Sequence, residues 1–342
     1  MVYDQVQEML MGVDQGYRFG VLPRGPKNLI TDVQGVRVGH VTLADGDVQT
    51  GVTAMIPGPG SSFREKFPAA VHVINGFGKS CGLMQVAELG TLETPILLTN
   101  TFSVPECSAA LLSWMLGGHE EIGRTTGTVN PVVMECNDGR LNDIRRRSIT
   151  QEHALEALQG ASSDFEEGSI GAGRGMRCYG YKGGIGSSSR QMQIGGVTYT
   201  VGSLLLTNFG SKPDLLISGK AVGESHAIEP DQGSCIIILA TDAPLDARQL
   251  GRCARRAQNG LARTGSITGG GSGEIVLMFS TVNRVPHHSD KPLLTCNCLH
   301  EEYLDVFFRA VVECVEESVI SSLLHATTVT GMGGNKIGAL SP

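Results

Sequence analysis

The apolar residues of this chain fall into short runs, which glycine and proline separate at close intervals. Many runs contain β-branched residues, and several are apolar throughout instead of alternating with polar positions. A strand with no polar face is covered on both sides, so these runs predict sheets enclosed by helices in a mixed α and β fold. The strand candidates cover residues 35–43, 70–74, 95–99, 132–135, 196–206, 235–240 and 274–281.

The clearest helix signal begins at Leu304. Apolar side chains recur at helical spacing after it, and Glu301 and Glu302 come just before, where acids favour a helix start. The stripe consists of Phe307, Phe308, Val311, Val312, Val315, Val319 and Leu323. Glu316 lies at the edge of this stripe, which predicts either a partly desolvated carboxylate or the commoner solvated flank. A second helix is predicted over residues 244–263.

Three glycines precede Ser272 in the segment GSITGGGSGEIVLMFST. Glycine adopts backbone conformations that other residues avoid, so the run can bring a hydroxyl against the preceding carbonyl carbon. An acyl shift to the Ser272 oxygen, followed by ester hydrolysis, would cleave the chain after Gly271 and leave a free α-amine to act as base. A flexible linker is the commoner interpretation. However, the 71 residues that remain (342 minus 271) are few for a separate core.

Length and composition are those of a globular protein, with 342 residues, 41% of them apolar and 18% charged. They fit one large domain or two smaller ones, and the short C-terminal part favours a single catalytic domain over residues 1–342. The formal charge of −7 and the pI near 5.7 argue against a nucleic-acid partner. No run reaches the roughly eighteen apolar residues of a membrane helix, and the start is acidic, so we expect a cytoplasmic protein without a membrane partner.

The sequence predicts no cofactor and no metal. Nine scattered cysteines fit reduced thiols better than disulfides or a zinc site, and His287 and His288 are adjacent, so a helix cannot present both to one ion. The segment INGFGKS, at residues 74–80, ends like a phosphate-binding loop, but Val73 stands where that loop needs its first glycine. Neither GFGKSC nor GGIGSSS completes a dinucleotide fingerprint.

Eight segments, in order along the chain, resemble the DmpA family of aminopeptidases. They are NLITDVQGVRVGHVTL, TGVTAMIP, ELGTLETPILLTNTFSV, NPVVMECNDGRLNDI, IGAGRGMRCYGYKGGIGSSSR, VGSLLLTNFG, GGGSGEIVLMFST and ECVEES. Family members include L-aminopeptidase/D-amidase/D-esterases and β-peptidyl aminopeptidases. The resemblance implies an α+β fold, an αββα sandwich like that of N-terminal nucleophile hydrolases. It also implies self-cleavage between Gly271 and Ser272 into an α fragment, 1–271, and a β fragment, 272–342, and a homo-oligomer of such pairs.

The resemblance places the nucleophile at Ser272, with Gly273 as a supporting neighbour, and the oxyanion donor at Asn208 in LLLTNFG. A side-chain amide suits a developing oxyanion, and a turn asparagine is the structural alternative. The acid that holds the substrate amine in the family matches Glu135. Such a role has a physical reason, since an ammonium group leaving water needs a paired carboxylate. A simple ion pair with Arg140 is the alternative there.

Two positions depart from relatives. Asn137 stands where some relatives carry a tyrosine that lines the oxyanion pocket, and Cys314 replaces a serine two residues before a glutamate. That glutamate is present as Glu316, and the resemblance implies that it orients or stabilises the Ser272 α-amine. The Cys314 thiol is a weaker hydrogen-bonding group than the hydroxyl it replaces. Cys314 is a poor alternative nucleophile because it lies mid-helix without an adjacent base.

Together these features predict a serine aminopeptidase that releases N-terminal residues from small peptides, amides or esters through an acyl-enzyme. Acyl transfer to an amine is a second hypothesis, because the related ornithine acetyltransferases use a similar self-cleaving fold, although with threonine as the nucleophile. A scaffold that has lost the chemistry is a third hypothesis. The departures at Asn137 and Cys314 favour it, whereas four retained residues argue against it: Ser272, Asn208, Glu135 and Glu316.

Overall fold

The computed structural model describes residues 19–223 and 233–340. Its longer strands are β1 (Arg37–Asp45), β2 (Val48–Ile56), β3 (Glu65–Gly76), β4 (Ile96–Asn100), β5 (Val132–Cys136), β6 (Gly184–Ile194), β7 (Val197–Asn208), β8 (Ser234–Thr241) and β9 (Gly273–Ser280). The α-helices are α1 (Leu83–Leu89), α2 (Val104–Gly118), α3 (Gln151–Gln159), α4 (Ala247–Ala254), α5 (Ala257–Arg263) and α6 (Leu304–Leu324). Two-residue strands lie at Thr91–Leu92, Arg177–Cys178, Tyr181–Lys182, Leu216–Ile217, Lys220–Ala221, Val285–Pro286, Val329–Thr330 and Lys336–Ile337.

Two sheets carry the architecture. The smaller has the order β1-β2-β4-β5, antiparallel except for the parallel pair β4 and β5. The larger has the order β3-β9-β8-β7-β6, in which only β8 and β9 run parallel among these five strands. Val285–Pro286 and Thr91–Leu92 pair with β3 at its outer side.

The sheets stack face to face, and helices cover both outer faces. Along β7, Leu204 and Leu206 pack between the sheets, whereas Leu205 packs toward the helices. Successive strand residues point to opposite faces, so a strand buried on both sides must be apolar at every position. Helices α2 and α3 cover the smaller sheet and α4, α5 and α6 cover the larger one. The predicted αββα sandwich is therefore confirmed.

Helix α6 is the longest cover of the larger sheet, and its approach to β6 requires glycine. A Cβ added at Gly186 would lie 1.9 Å from the carbonyl oxygen of Ser318. The hydroxyls of Ser188 and Ser203 also hydrogen-bond to the Ser318 hydroxyl, at 3.0 Å and 2.6 Å. Small residues therefore let this helix lie directly on the strands, which explains why the GIGSSS segment of β6 is a strand despite its polar composition.

The seven predicted strands are confirmed, with ends displaced by a few residues. Strands β2 and β6 were missed because threonine, glutamine, serine and glycine interrupt their apolar patterns. The predicted long helix over 244–263 is two helices, α4 and α5, separated by a turn at Arg255 and Arg256. Helix α6 follows its predicted stripe closely. Within 19–223 and 233–340, none of the helices combines the length and apolarity that crossing a membrane requires.

Candidate active site

The candidate nucleophile lies at one end of the larger sheet, where four strands place polar or small residues side by side. Asn208 of β7 is opposite Ser234 of β8, and Ser234 is beside Gly273 of β9. Gly273 in turn faces Gly76 of β3. Adjacent strands lie about 4.8 Å apart, so this row brings Asn208 within two strand spacings of the residue that follows Ser272.

Ser272 closes a turn directly before β9. Its backbone N–H donates to the Gly269 carbonyl at 3.0 Å, and the residue is completely buried. The left-handed residue of this loop is Thr268, with φ of 54°, and no positive φ is recorded for glycines 269–271, which lie within the described chain. A tight turn thus presents the serine, and the strained glycine backbone expected from the sequence stays a prediction.

Asn75, near the end of β3, holds this turn in place. Its side-chain amide donates to the carbonyl oxygens of Ser272, Gly269 (3.2 Å) and Gly270 (3.4 Å). Sequence analysis missed this residue. It lies in the INGFGKS segment that resembles a phosphate loop, so the segment is part of the site although its pattern is not that of a nucleotide cradle.

Glu274 is the second residue that sequence analysis missed. The Ser272 hydroxyl donates to its carboxylate, and the Glu274 side chain is completely buried. The sequence feature that could have identified Glu274 is that it is the single charged residue in the run GEIVLMFS of β9. A buried carboxylate is costly unless it is hydrogen-bonded, so this position in a core strand indicates a specific contact.

Gly273 allows the chain after β3 to pass close to the nucleophile. A Cβ added at Gly273 would lie 3.0 Å from the Gly78 nitrogen and 3.2 Å from the Phe77 carbonyl carbon. Because those neighbours are backbone, a side chain there would displace the segment. The supporting position assigned to Gly273 thus has a steric basis in this structure.

Glu135 lies across the gap between the sheets, near the end of β5. Its carboxylate accepts from the backbone N–H of Lys79, at 2.7 Å, and from the Thr101 hydroxyl. The Glu135 side chain is buried, and a Cβ added at Gly78 would lie 3.7 Å from one of its oxygens. Gly78 thus lies between Gly273 and Glu135. A carboxylate accepts up to about four hydrogen bonds, so capacity remains for an ammonium group.

Asn208 joins the two sheets at the same end. Its side-chain N–H donates to the Asn137 carbonyl at 3.0 Å, and its side-chain oxygen accepts from the Arg177 N–H at 3.0 Å. An amide NH₂ has two hydrogens, so one bond leaves one hydrogen for an oxyanion. Asn137 is exposed and contributes its backbone, because its own side chain accepts from the Gly139 N–H.

Cys314 and Glu316 do not contact Ser272 in this structure. The Cys314 thiol donates to the Val201 carbonyl at 3.5 Å, and Val201 lies at the end of the sheet that also carries Ser280. Ser280 lies seven positions after Gly273 along β9, which is about 23 Å in an extended strand. Burial raises the pKa of Cys314 to about 12, which argues against a thiolate nucleophile.

Glu316 lies two residues further along α6. Its carboxylate pairs with Arg263 at 3.0 Å, and burial raises its pKa although Arg263 opposes the rise. Of the two interpretations left open for Glu316, the structure shows the desolvated carboxylate, and the commoner one, a solvated flank, is wrong. A role for Glu316 beside the Ser272 amine stays a prediction, and in the continuous chain its contacts are with Arg263.

Another buried acid, Asp138, lies just beyond β5. Its carboxylate accepts from Asn142 at 3.0 Å, and burial raises its pKa to about 7. Lys182 is also fully buried, donates to the Gly173 and Gly183 carbonyls, and has its pKa lowered by burial. Among residues 19–223 and 233–340, no three histidine, cysteine or acidic side chains are grouped to hold a metal.

Comparisons with known proteins find similar proteins over nearly the whole chain. The sequence pattern of peptidase family S58 matches residues 28–337. The beta-peptidyl aminopeptidase BapA of Sphingosinicella xenopeptidilytica is 38% identical, covering 95% of this chain and 87% of its own. The structure of the PH0078 protein from Pyrococcus horikoshii OT3 superposes with a TM-score of 0.91 at 48% identity, covering 95% of this chain and 94% of its own.

A third similar protein is described as a prototype of the serine aminopeptidases. It is the L-aminopeptidase D-Ala-esterase/amidase of Ochrobactrum anthropi, whose structure is a variant of the Ntn hydrolase fold. It superposes with a TM-score of 0.88 at 35% identity, covering 95% of this chain and 94% of its own. The fold expected from the sequence is therefore shown by comparison as well as by the layers.

Proposed function

This chain belongs to peptidase family S58, and from that premise we propose that it is a serine aminopeptidase of the N-terminal nucleophile type. The observation that carries the proposal is the position of Ser272 directly before β9. The next residue, Gly273, lies in one row with Asn208, and Gly78 is close to both Gly273 and Glu135. The relatives described as aminopeptidases match 95% of the chain. We propose small peptides, amino-acid amides or esters as substrates, without a cofactor.

The proposed reaction begins with self-cleavage between Gly271 and Ser272. Ser272 is completely buried in the continuous chain, so the loop before it must open before a substrate can reach the hydroxyl. Cleavage frees that loop at its end and gives Ser272 an α-amine. The products are the fragments 1–271 and 272–342 of one catalytic domain.

In the mature enzyme, the α-amine of Ser272 takes the hydroxyl proton as the oxygen attacks the scissile carbonyl. The remaining Asn208 N–H stabilises the oxyanion, a contribution of about 2.7–4 kcal/mol for a donor of this kind. Glu135 pairs with the substrate ammonium group and fixes its position. The protonated amine then gives its proton to the leaving amine, and water hydrolyses the acyl-enzyme.

The first test is the intact mass of freshly purified protein under denaturing conditions. Wild type should give two fragments that meet at Gly271-Ser272, whereas Ser272→Ala should give one chain. The matched control, Ser113→Ala, removes an exposed hydroxyl on α2 and should cleave normally. A wild type that stays whole after prolonged incubation would refute self-cleavage.

Turnover is tested with fluorogenic amides of L-, D- and β-amino acids. Hydrolysis by wild type and none by Ser272→Ala supports the aminopeptidase, and equal rates would refute it. Asn208→Ala should lose about 10²- to 10³-fold in kcat, since an oxyanion donor acts mainly in the transition state. An added amine acceptor separates hydrolysis from acyl transfer.

We also propose a cytoplasmic location and a homo-oligomer of α/β pairs. Light scattering coupled to size exclusion gives the mass of the native particle, and a mass of one chain would refute the oligomer. Cell fractionation with a cytoplasmic marker tests the location.

A further inference from the structure

Self-cleavage requires a proton acceptor that the mature enzyme does not need. Before cleavage the Ser272 nitrogen is an amide, and its hydrogen is donated to the Gly269 carbonyl. An amide nitrogen shares its lone pair with the carbonyl, so it cannot accept the hydroxyl proton. The α-amine that serves turnover therefore does not exist at the step that creates it.

Glu274 is the carboxylate in contact with the Ser272 hydroxyl. The hydroxyl donates to it directly, and both side chains are completely buried. The other two candidate acids have different partners, since Glu135 accepts from Lys79 and Thr101, and Glu316 pairs with Arg263.

We propose that Glu274 is the proton acceptor for self-cleavage, a catalytic role that rests on the proposed self-cleaving function. As the Ser272 oxygen bonds to the Gly271 carbonyl carbon, its O–H bond breaks and the proton passes to Glu274. The bond between that carbon and the Ser272 nitrogen then breaks, and Glu274 returns the proton to the departing nitrogen. Water hydrolyses the resulting ester, which yields the Gly271 carboxylate and restores the Ser272 hydroxyl.

The strand geometry holds Glu274 for this step. Glu274 lies opposite Asn75 in the pairing of β9 with β3, and Asn75 holds the carbonyl oxygens of Gly269 and Gly270, before the scissile bond, and of Ser272, after it. One strand pair therefore fixes the base and the residues on both sides of the peptide bond that breaks. After cleavage the turn is free to leave, whereas Glu274 stays in the strand.

The test uses the full chain made by cell-free synthesis, with samples quenched over time and analysed by intact mass. Glu274→Gln removes the base while keeping the shape of the side chain, and should slow cleavage by about 10²- to 10⁴-fold, the range for a general base. Formate should partly restore cleavage in Glu274→Ala. The control, Glu93→Gln, removes a buried carboxylate near the far end of β3, beside Lys66, and should cleave normally.

Cleavage of Glu274→Gln within threefold of the wild-type rate would overturn the proposal. If circular dichroism shows that this variant is unfolded, the pH dependence of the cleavage rate is measured for Glu274→Asp instead. A pH profile shifted from that of wild type supports the proposal, and an unchanged profile overturns it. Wild type and Ser272→Ala, measured in the same series, test self-cleavage itself. A wrong assignment of Glu274 as the base is therefore distinguished from the absence of self-cleavage.

Discussion

The turn that precedes the nucleophile depends on one side chain, Asn75, and its removal is expected to slow self-cleavage. The Asn75 amide donates toward three carbonyl oxygens, those of Gly269, Gly270 and Ser272. An NH₂ group has two hydrogens, so at most two full hydrogen bonds form at once. Each contributes a net 0.5–1.5 kcal/mol or so, which sums to about 1–3 kcal/mol.

If these bonds hold the turn in its reactive form, Asn75→Ala should slow cleavage by about 5- to 150-fold. Asn75→Asp keeps the shape but sets a carboxylate against the same carbonyl oxygens, so it should cleave more slowly than the alanine variant. Both rates are measured by intact mass after cell-free synthesis, with thermal unfolding as a check on folding.

The matched control is Asn283→Ala, which removes an asparagine that holds another loop through the Asn297 carbonyl, at 2.7 Å. It should cleave at the wild-type rate. A folded Asn75→Ala that cleaves as fast as wild type would show that the turn forms without these hydrogen bonds, and it would refute the reasoning.

Two further predictions concern buried charges and are measured by urea unfolding in the uncleavable Ser272→Ala background. Arg190 is buried and pairs with both Glu313 and Glu317, so Arg190→Met leaves two buried carboxylates and should cost about 3–5 kcal/mol; a loss below about 1 kcal/mol would contradict this. Burial raises the pKa of Asp138 from 3.8 to about 7, so the folded state keeps a proton that the unfolded chain releases above about pH 4. Stability contributed by this group is therefore full at low pH and falls as pH rises through about 7. Asp138→Asn should be more stable than its parent at pH 8, by up to about 4 kcal/mol, and equal to it near pH 4; the same difference at both values would refute the assignment.

The sequence located the candidate site in part. The glycine run made Ser272 a candidate, and the family resemblance added Asn208 and Glu135. The structure brings all three to one end of the sandwich. Asn75 and Glu274 were missed because each acts through a contact with a strand neighbour or a turn. Such contacts depend on strand register, and the printed order of residues does not reveal register between distant strands.

The periodicity of apolar residues, by itself, determined most of the strands and the last helix, because burial on one or both faces dictates which positions are apolar. It also predicted the layers, since strands without a polar face need cover on both sides. Only the tertiary structure decided which residues meet. It set β8 parallel to β9, placed Asn208 in one row with Ser234 and Gly273, and left Cys314 at the opposite end of the sheet. The reason is that local pattern constrains the solvent exposure of each residue, whereas strand order and register arise from packing between segments far apart in the chain.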